Sequence, residues 1–151
     1  MVACWFGTAR PCHSRNMGSP SPSWSAEGVT VLVVDDQEPF RAAARFVVRA
    51  TAGMQVVGEV ETGEEAVAVA ESLRPHLVLM DINLPGISGL EATRRIVDSR
   101  PETAVLLMST YSAEDLPAQA RSCGARGYVH KSNLTPDVLL AIVDGTAPAG
   151  F

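Results

Sequence analysis

Four short apolar runs in this sequence each end in polar side chains that are able to do chemistry. The side chains at these four ends are Asp35 and Asp36, then Asp81, then Ser109 and Thr110, and finally His130 and Lys131. If the runs are parallel strands of one sheet, their carboxyl ends meet at the same edge, where ligands bind in open α/β sheets. The pattern therefore predicts one site that combines three carboxylates, hydroxyl groups and an ammonium group.

Three carboxylates that lie close together repel one another unless a cation neutralises them. Mg²⁺ is suited to such a place, because it prefers one or two carboxylates, a carbonyl oxygen and several waters. We expect Asp36 and Asp81 to supply the carboxylates and the backbone carbonyl of Asn83 to supply the third protein ligand. Asp35 would reach the ion through water.

A carboxylate held beside Mg²⁺ is a competent phosphoryl acceptor, because the ion offsets charge on the attacking and transferring oxygens. Lys131, with the hydroxyl side chains of Ser109 and Thr110, would contact the remaining phosphoryl oxygens. Lys131 is the only lysine, whereas the other eleven basic residues are all arginine. A compact point charge serves a phosphoryl group differently from a planar guanidinium, which favours a specific role for this lysine.

The elements that must position these residues are visible as five apolar runs after residue 28. Most runs are continuous rather than alternating, which is typical of parallel strands buried on both faces. The five runs are Val29–Val34, Gln55–Val60, Leu77–Met80, Ala104–Met108 and Gly127–Val129.

Segments with helical spacing separate these runs, and their start signals agree with helices. Thr62-x-x-Glu65 and Ser88-x-x-Glu91 are capping boxes, and Thr135 precedes a proline at the first helical position. Gly124 and Gly145 stand where the fourth and fifth helices should end. Five βα units predict a flavodoxin-like, doubly wound (βα)5 fold with strand order 2-1-3-4-5.

The predicted fourth helix contains a conflict at Pro117. A helix that starts after Ser112 would place this proline in its interior, where the ring clashes with an earlier carbonyl. We therefore expect regular helical hydrogen bonding to begin near Leu116, with Pro117 in the first turn.

Composition excludes several classes of function. Residues 29–145 hold ten basic and sixteen acidic residues, a balance of −6 that argues against direct DNA binding. No apolar run has the length of a membrane span. Three cysteines without a CxxC pair signal neither a disulfide framework nor a zinc site, so a cytoplasmic protein is expected.

The chain divides into three parts. Residues 1–28 are rich in proline and serine and lack hydrophobic periodicity, which predicts a disordered leader. Residues 29–145 form the predicted domain, and residues 146–151 are a short tail.

From Thr30 to Val143 the sequence resembles the receiver domains of two-component response regulators. The matching motifs are Val-Leu-Val-Val-Asp35-Asp36, Leu-Val-Leu-Met-Asp81-Ile-Asn83-Leu-Pro85-Gly86-Ile-Ser-Gly89, Leu-Leu-Met-Ser109-Thr110 and Gly124-Ala-Arg-Gly-Tyr128-Val-His-Lys131. Many receivers have proline after the phosphate-binding lysine, whereas Ser132 stands here. This resembles the NarL/LuxR-type class, although the helix-turn-helix output domain usual in that class does not follow within the 151 residues.

The resemblance implies that Asp81 is phosphorylated, that Asp35 and Asp36 organise Mg²⁺, and that Lys131 binds the phosphoryl group. It also implies that Ser109 and Tyr128 are paired switch residues. The phosphoryl donor would be a histidine kinase or a phosphotransfer protein. A downstream protein would bind the face formed by helix four, strand five and helix five.

Two other functions compete with this interpretation. The chain could be an interaction module with the same fold that works without phosphorylation, but the complete acidic pocket, Ser109 and Lys131 argue against that. It could also be a flavodoxin-like cofactor binder, but Asp35 and Asp36 would repel a phosphate after the first strand.

Overall fold

A computed structural model describes residues 2–4 and 28–145 of the chain. This part contains one sheet of six strands. The strands are β1 (Val2–Cys4), β2 (Val29–Val34), β3 (Met54–Val60), β4 (Leu77–Asp81), β5 (Ala104–Ser109) and β6 (Gly127–His130). The last five agree with the predicted runs to within one residue at each end.

The sheet has the order β1-β6-β5-β4-β2-β3, and every pair except β1 with β6 is parallel. Counting only the five parallel strands in chain order, the arrangement is 2-1-3-4-5. The predicted flavodoxin-like topology is thereby confirmed. The order reverses at β2 and β4, and their carboxyl ends carry Asp35, Asp36 and Asp81.

The first strand corrects the prediction for the start of the chain. Residues 2–4 pair antiparallel with β6, and Ala3 stands opposite Tyr128. The expectation of a disordered leader is therefore wrong for these three residues. Residues 5–27 and 146–151 lie outside the described part, so the remaining boundaries of the leader and tail stay predictions.

The helices form two layers, one on each face of the sheet. They are α1 (Glu38–Arg49), α2 (Gly63–Leu73), α3 (Gly89–Ser99) and α4 (Pro136–Asp144). The inward faces of α1 and α4 pack on one side of the central strands, and those of α2 and α3 pack on the other. Alternate residues along β2 serve the two layers: Val31 and Val33 face one cluster, and Leu32 and Val34 face the other. Burial on both faces explains the continuous apolar runs.

Hydrogen bonds at the helix ends confirm the predicted cap residues, although the Glu65 carboxylate accepts from Glu61 N rather than from the cap N–H that a capping box requires. The side chain of Thr62 accepts from Glu65 N at 3.1 Å, and that of Ser88 accepts from Glu91 N at 3.2 Å. Thr135 does the same for Val138 N at 3.3 Å. Gly145 ends α4 in the left-handed conformation, with φ +74°.

The predicted fourth helix is wrong, because no α-helix lies between β5 and β6. Two short 3₁₀ turns, Ala113–Asp115 and Ala118–Arg121, take its place. Pro117 separates them with an extended ψ of 153° and has no N–H to donate, so a continuous helix cannot cross it. Gly124 has φ +101° in the connection to β6, but no α-helix precedes it there, so it does not end one.

Among the helices of residues 28–145, none has the length and apolar character that a membrane crossing requires.

Candidate functional site

The three predicted carboxylates meet at the carboxyl edge of the sheet. Asp35, Asp36 and Asp81 each offer an oxygen atom, and these atoms lie within 4.8 Å of one another. Asp35 is fully buried and Asp81 is 4 % exposed, whereas Asp36 faces solvent. The cluster therefore opens to water on the side of Asp36.

Local hydrogen bonds hold Asp35 in place. Its Oδ1 accepts from the backbone N–H of Gln37 at 2.8 Å, which turns the chain between β2 and α1. Its backbone carbonyl accepts from the Arg41 guanidinium at 2.7 Å. Because Arg41 is itself buried and paired with Glu38, Glu59 and Glu61, α1 anchors the end of β2.

Asp81 is the last residue of β4, and the turn that follows fixes its side chain. Its Oδ1 accepts from the backbone N–H of Asn83 at 3.2 Å. Further along this turn, the carboxylate of Glu64 accepts from Ile87 N at 3.1 Å and so ties the turn to the start of α2. The turn closes where Gly89 N donates to the carbonyl of Ile82 at 2.9 Å.

Gly89 allows α3 to begin directly against the backbone of Asp81. A Cβ atom at this position would lie 2.0 Å from the Asp81 carbonyl oxygen, a distance at which the backbone has to move. We expect Gly89→Ala to lower the free energy of unfolding by about 3 kcal/mol, the upper end of ordinary overpacking.

Urea unfolding would measure this loss, with Gly58→Ala as the matched control. A Cβ atom at Gly58 meets side-chain atoms alone, those of Leu32 and Leu73 at 3.2 Å and of Val69 at 3.8 Å, and these can adjust. The control should therefore lose about 1 kcal/mol or less. Equal losses in the two variants would contradict the close approach at Gly89.

Lys131 brings a positive charge between two of the carboxylates. Its Nζ lies 2.6 Å from Asp35 Oδ2 and 3.4 Å from Asp81 Oδ2, and its side chain is 13 % exposed. The aromatic ring of Phe40 covers the same ammonium, with its centroid 4.6 Å from Nζ. The predicted convergence of Lys131 with the acidic cluster is thus present.

The electrostatics of the site disfavour the ionised form of Asp81 in the absence of a cation. Burial, and after it the neighbouring Asp35 carboxylate, raise the pKa of Asp81, which is about 6 against its ordinary 3.8. Lys131 and the Asn83 N–H act in the opposite direction and lower the pKa. Lys131 alone does not keep the pKa of Asp81 at its ordinary value. A second cation that stabilises the ionised Asp81 carboxylate would therefore be favoured at this site.

The hydroxyl residues lie beside this cluster on β5 and in the loop that follows. Ser109 is buried at the end of β5, and its Oγ accepts from Tyr111 N at 2.8 Å. Thr110 follows it and is exposed. Within residues 28–145, neither hydroxyl makes a hydrogen bond to Asp81 or Lys131, so their predicted contact with a phosphoryl group stays a prediction.

Tyr128 lies in β6 with its ring turned into the protein. The ring is 2 % exposed, and its hydroxyl contacts the carbonyl oxygens of Ser109, at 3.3 Å, and of Tyr111. Burial raises the pKa of Tyr128 above its ordinary value of 10, so the phenol keeps its proton at neutral pH. The two residues predicted as a switch pair are therefore in contact.

Four residues position this site in ways that the sequence does not predict, namely Phe40, Arg41, Glu64 and His130. No spacing rule points to Phe40, Arg41 or Glu64, because each acts on a residue of another element. His130 was noted only as the neighbour of Lys131, yet its ring contacts the loop after β5 at Thr110.

The donor set of the cluster fits a hard divalent cation. Carboxylate oxygens and backbone carbonyls are the ligands that Mg²⁺ takes, and the cluster contains no sulfur or imidazole donor. In addition, the fully buried Asp35 Oδ2 has the charge of Lys131 nearby but no directed hydrogen bond. A cation would offset the burial and the repulsion from Asp35 that together raise the pKa of Asp81.

Comparison with known families gives a match over most of the described part. Residues 31–144 match the model of the response regulator receiver domain. Response regulator GacA of Pseudomonas protegens is 38% identical over 114 residues, which cover 76% of this chain and 54% of that protein. Response regulator UvrY of Escherichia coli is 39% identical over 114 residues, which cover 76% and 52%. The chain thus spans about half the length of the curated relatives it matches.

Solved structures with the same fold include a two-component response regulator of the LuxR family from Aurantimonas. It has a TM-score of 0.72 and 29% identity, and the match covers 80% of this chain and 89% of that one. The receiver domain of the NarL regulator from Mycobacterium tuberculosis has a TM-score of 0.70 and 28% identity, with coverage of 79% and 98%. One of these structures is of a LuxR-family regulator and the other of a NarL regulator, in agreement with the NarL/LuxR-type class that Ser132 indicates.

Proposed function

We propose, for a chain that belongs to the response regulator receiver domain family, that Asp81 accepts a phosphoryl group from a histidine kinase or a phosphotransfer protein. The observation that carries this proposal is the position of Asp81 at the end of β4. One side of its carboxylate adjoins Asp35 and Asp36, and Lys131 Nζ lies 3.4 Å from its Oδ2. An acidic cluster that suits a cation and an ammonium that suits a phosphoryl group thus both adjoin the same carboxylate. We place this reaction in the cytoplasm.

Asp35, Asp36, Asp81 and the backbone carbonyl of Asn83 would hold Mg²⁺. When bound, the ion neutralises charge on the attacking and transferring oxygens of phosphoryl transfer. Asp36, as the exposed member of the cluster, leaves room for the waters that Mg²⁺ retains. Gln37 N and Arg41 keep Asp35 in position for this role.

In the reaction, an oxygen of the Asp81 carboxylate attacks the phosphorus atom of the donor. The new P–O bond forms as the bond to the donor nitrogen or oxygen breaks, and the electron pair leaves with the donor. Lys131 is expected to follow the transferred oxygens, since its ammonium already lies beside Asp81. Water later hydrolyses the acyl phosphate and returns Asp81, so this self-catalysed turnover is the only enzymatic activity proposed.

The signal would leave the site through β5 and β6. The hydroxyls of Ser109 and Thr110 would turn toward the phosphoryl oxygens, and Tyr128 would follow the loop whose carbonyls it contacts. A downstream protein would bind the face that includes β6, α4 and the 3₁₀ turn Ala118–Arg121. DNA is not a proposed partner of the described domain, because acidic residues outnumber basic ones by sixteen to ten between 29 and 145.

The test is incubation of the whole chain with acetyl phosphate and Mg²⁺, followed by mass spectrometry. We expect the mass to increase by one phosphoryl group, in an acid-stable and base-labile linkage. Asp81→Asn should abolish the gain, and Asp36→Ala should slow it sharply by weakening Mg²⁺ binding.

Asp98→Asn is the matched control, because Asp98 is an exposed carboxylate on α3 outside the cluster. It should be labelled like the wild type. An unmodified wild-type mass, or labelling that persists in Asp81→Asn, would instead favour an interaction module that works without phosphorylation.

A further inference from the structure

His130 connects the two loops that surround the acidic cluster. It is the last residue of β6, opposite Ser109 in the parallel register with β5. Its Nε2 lies 2.9 Å from the carbonyl oxygen of Thr110 in the loop after β5. Its Nδ1 lies 3.1 Å from the backbone N of Ser132 and 2.8 Å from the Ser132 hydroxyl, in the turn that holds Lys131.

The partners of the imidazole determine its tautomer. The Thr110 carbonyl can only accept a hydrogen bond, so Nε2 must carry a proton. The Ser132 backbone N–H can only donate, so Nδ1 must be unprotonated. The neutral ring with its proton on Nε2 therefore satisfies all three contacts, and the opposite tautomer breaks at least two of them.

Tyr128 and His130 act on the same stretch of backbone. They are two residues apart in β6 and so point to the same side of the strand. Tyr128 contacts the carbonyls of Ser109 and Tyr111, and His130 binds the carbonyl of Thr110 between them. Three successive carbonyl oxygens, beginning with that of Ser109 at the end of β5, are thus bound by two side chains of β6.

We infer that His130 is a positioning residue that fixes the Ser109–Thr110 loop relative to the Lys131 turn through its bond to the Thr110 carbonyl. This inference rests on the proposed function, in which Ser109, Thr110 and Lys131 contact one phosphoryl group. These groups come from two separate loops, so their relative placement decides whether they reach the phosphoryl oxygens together. The imidazole binds both loops at once.

Two substitutions separate the two halves of the imidazole. His130→Gln places an amide N–H where Nε2 lies, so it can keep the bond to the Thr110 carbonyl. It loses the acceptor for the Ser132 N–H. His130→Asn keeps an acceptor at the place of Nδ1 but is too short for Thr110. His130→Phe keeps the ring shape and loses both bonds.

Labelling by acetyl phosphate, measured on the whole chain, tests the inference. We expect His130→Asn and His130→Phe to be phosphorylated about fivefold more slowly, as the loss of one net hydrogen bond predicts, whereas His130→Gln stays within about twofold of the wild type. Mg²⁺ affinity should be the same in all four proteins, because none of the proposed ligands contacts His130. Rescue by Asn rather than Gln would overturn the inference, since the ring would then serve only the Ser132 turn.

Nitrogen-15 NMR of the unphosphorylated chain gives a readout that does not depend on phosphotransfer. The His130 ring should show a protonated Nε2 and an unprotonated Nδ1, and the opposite tautomer would overturn the inference. If the wild type is not labelled at all, the proposed function fails and the positioning role with it. If the wild type and all three variants are labelled at one rate, only the inference fails.

Discussion

Replacing Lys131 with methionine is expected to lower the free energy of unfolding of the metal-free protein by about 3 kcal/mol at neutral pH. The ammonium lies 2.6 Å from the buried Asp35 carboxylate and 3.4 Å from Asp81. Methionine has a similar length but no charge, so both carboxylates would lose their only cation within salt-bridge distance in the described domain. Urea unfolding in EDTA would measure the loss.

Two further measurements identify the electrostatic origin of this loss. Added Mg²⁺ should restore part of the stability, because a cation at the cluster replaces the missing charge. The loss should also shrink at acidic pH, where Asp81 takes up a proton and its repulsion with Asp35 disappears. A loss that is independent of both Mg²⁺ and pH would mean that Lys131 acts only through packing.

Arg95→Met is the matched control for Lys131→Met. Arg95 forms an ion pair with Glu91 at 2.9 Å, but its side chain is 50% exposed. Surface ion pairs contribute little, so this variant should lose about 0.5 kcal/mol or less. An equal loss of unfolding free energy in both variants would show that the buried position of Lys131 does not strengthen its ion pairs.

The sheet could be predicted from sequence because its strands are buried on both faces. Such strands are short continuous apolar runs, and each run ends where polar residues reach the open edge. Asp35 and Asp81 therefore marked both the end of a strand and the position of the site. The caps at Thr62, Ser88 and Thr135 depend on residues three positions apart, so they too were visible.

The supporting contacts of the site could not be predicted in the same way. Phe40 over Lys131 and Glu64 at Ile87 join residues that are distant in sequence, and nothing in their spacing records the contact. The same holds for the bond between His130 and Thr110. Parallel strand topology brings such residues together only after the register is set.

The two structural errors also have physical causes. The pairing of residues 2–4 with β6 is antiparallel and separated by more than a hundred residues, so no local pattern announces it. At Pro117 the sequence predicts a helix that begins near Leu116, but the structure has two 3₁₀ turns, one on each side of the proline. The proline interrupts the helix completely instead of starting it, because its ψ of 153° is extended.

Replacing Asp81 with asparagine is expected to stabilise the metal-free protein by about 2 kcal/mol above pH 6. Folding raises the pKa of Asp81 from 3.8 to about 6, first through burial and then through Asp35. Holding this carboxylate ionised in the folded state therefore costs free energy at neutral pH, and the interval corresponds to about 3 kcal/mol. We expect a smaller gain because water at the open rim of the cluster screens part of the repulsion.

The sign of the pH dependence follows from the raised pKa. Above pH 6 the wild type carries the full penalty, so the gain from asparagine is largest there. As the pH falls from 6 to about 4, the wild-type Asp81 becomes protonated in the folded state and the gain should disappear. Urea unfolding at several pH values in EDTA measures this gain, and Asp98→Asn, with an exposed carboxylate, should show no such trend.

Mg²⁺ should make the wild type more stable than Asp81→Asn at neutral pH, because it binds the wild type through a carboxylate ligand that asparagine lacks. A variant that is less stable than the wild type in EDTA at pH 7.5 would show that the attraction to Lys131 outweighs burial and the repulsion from Asp35.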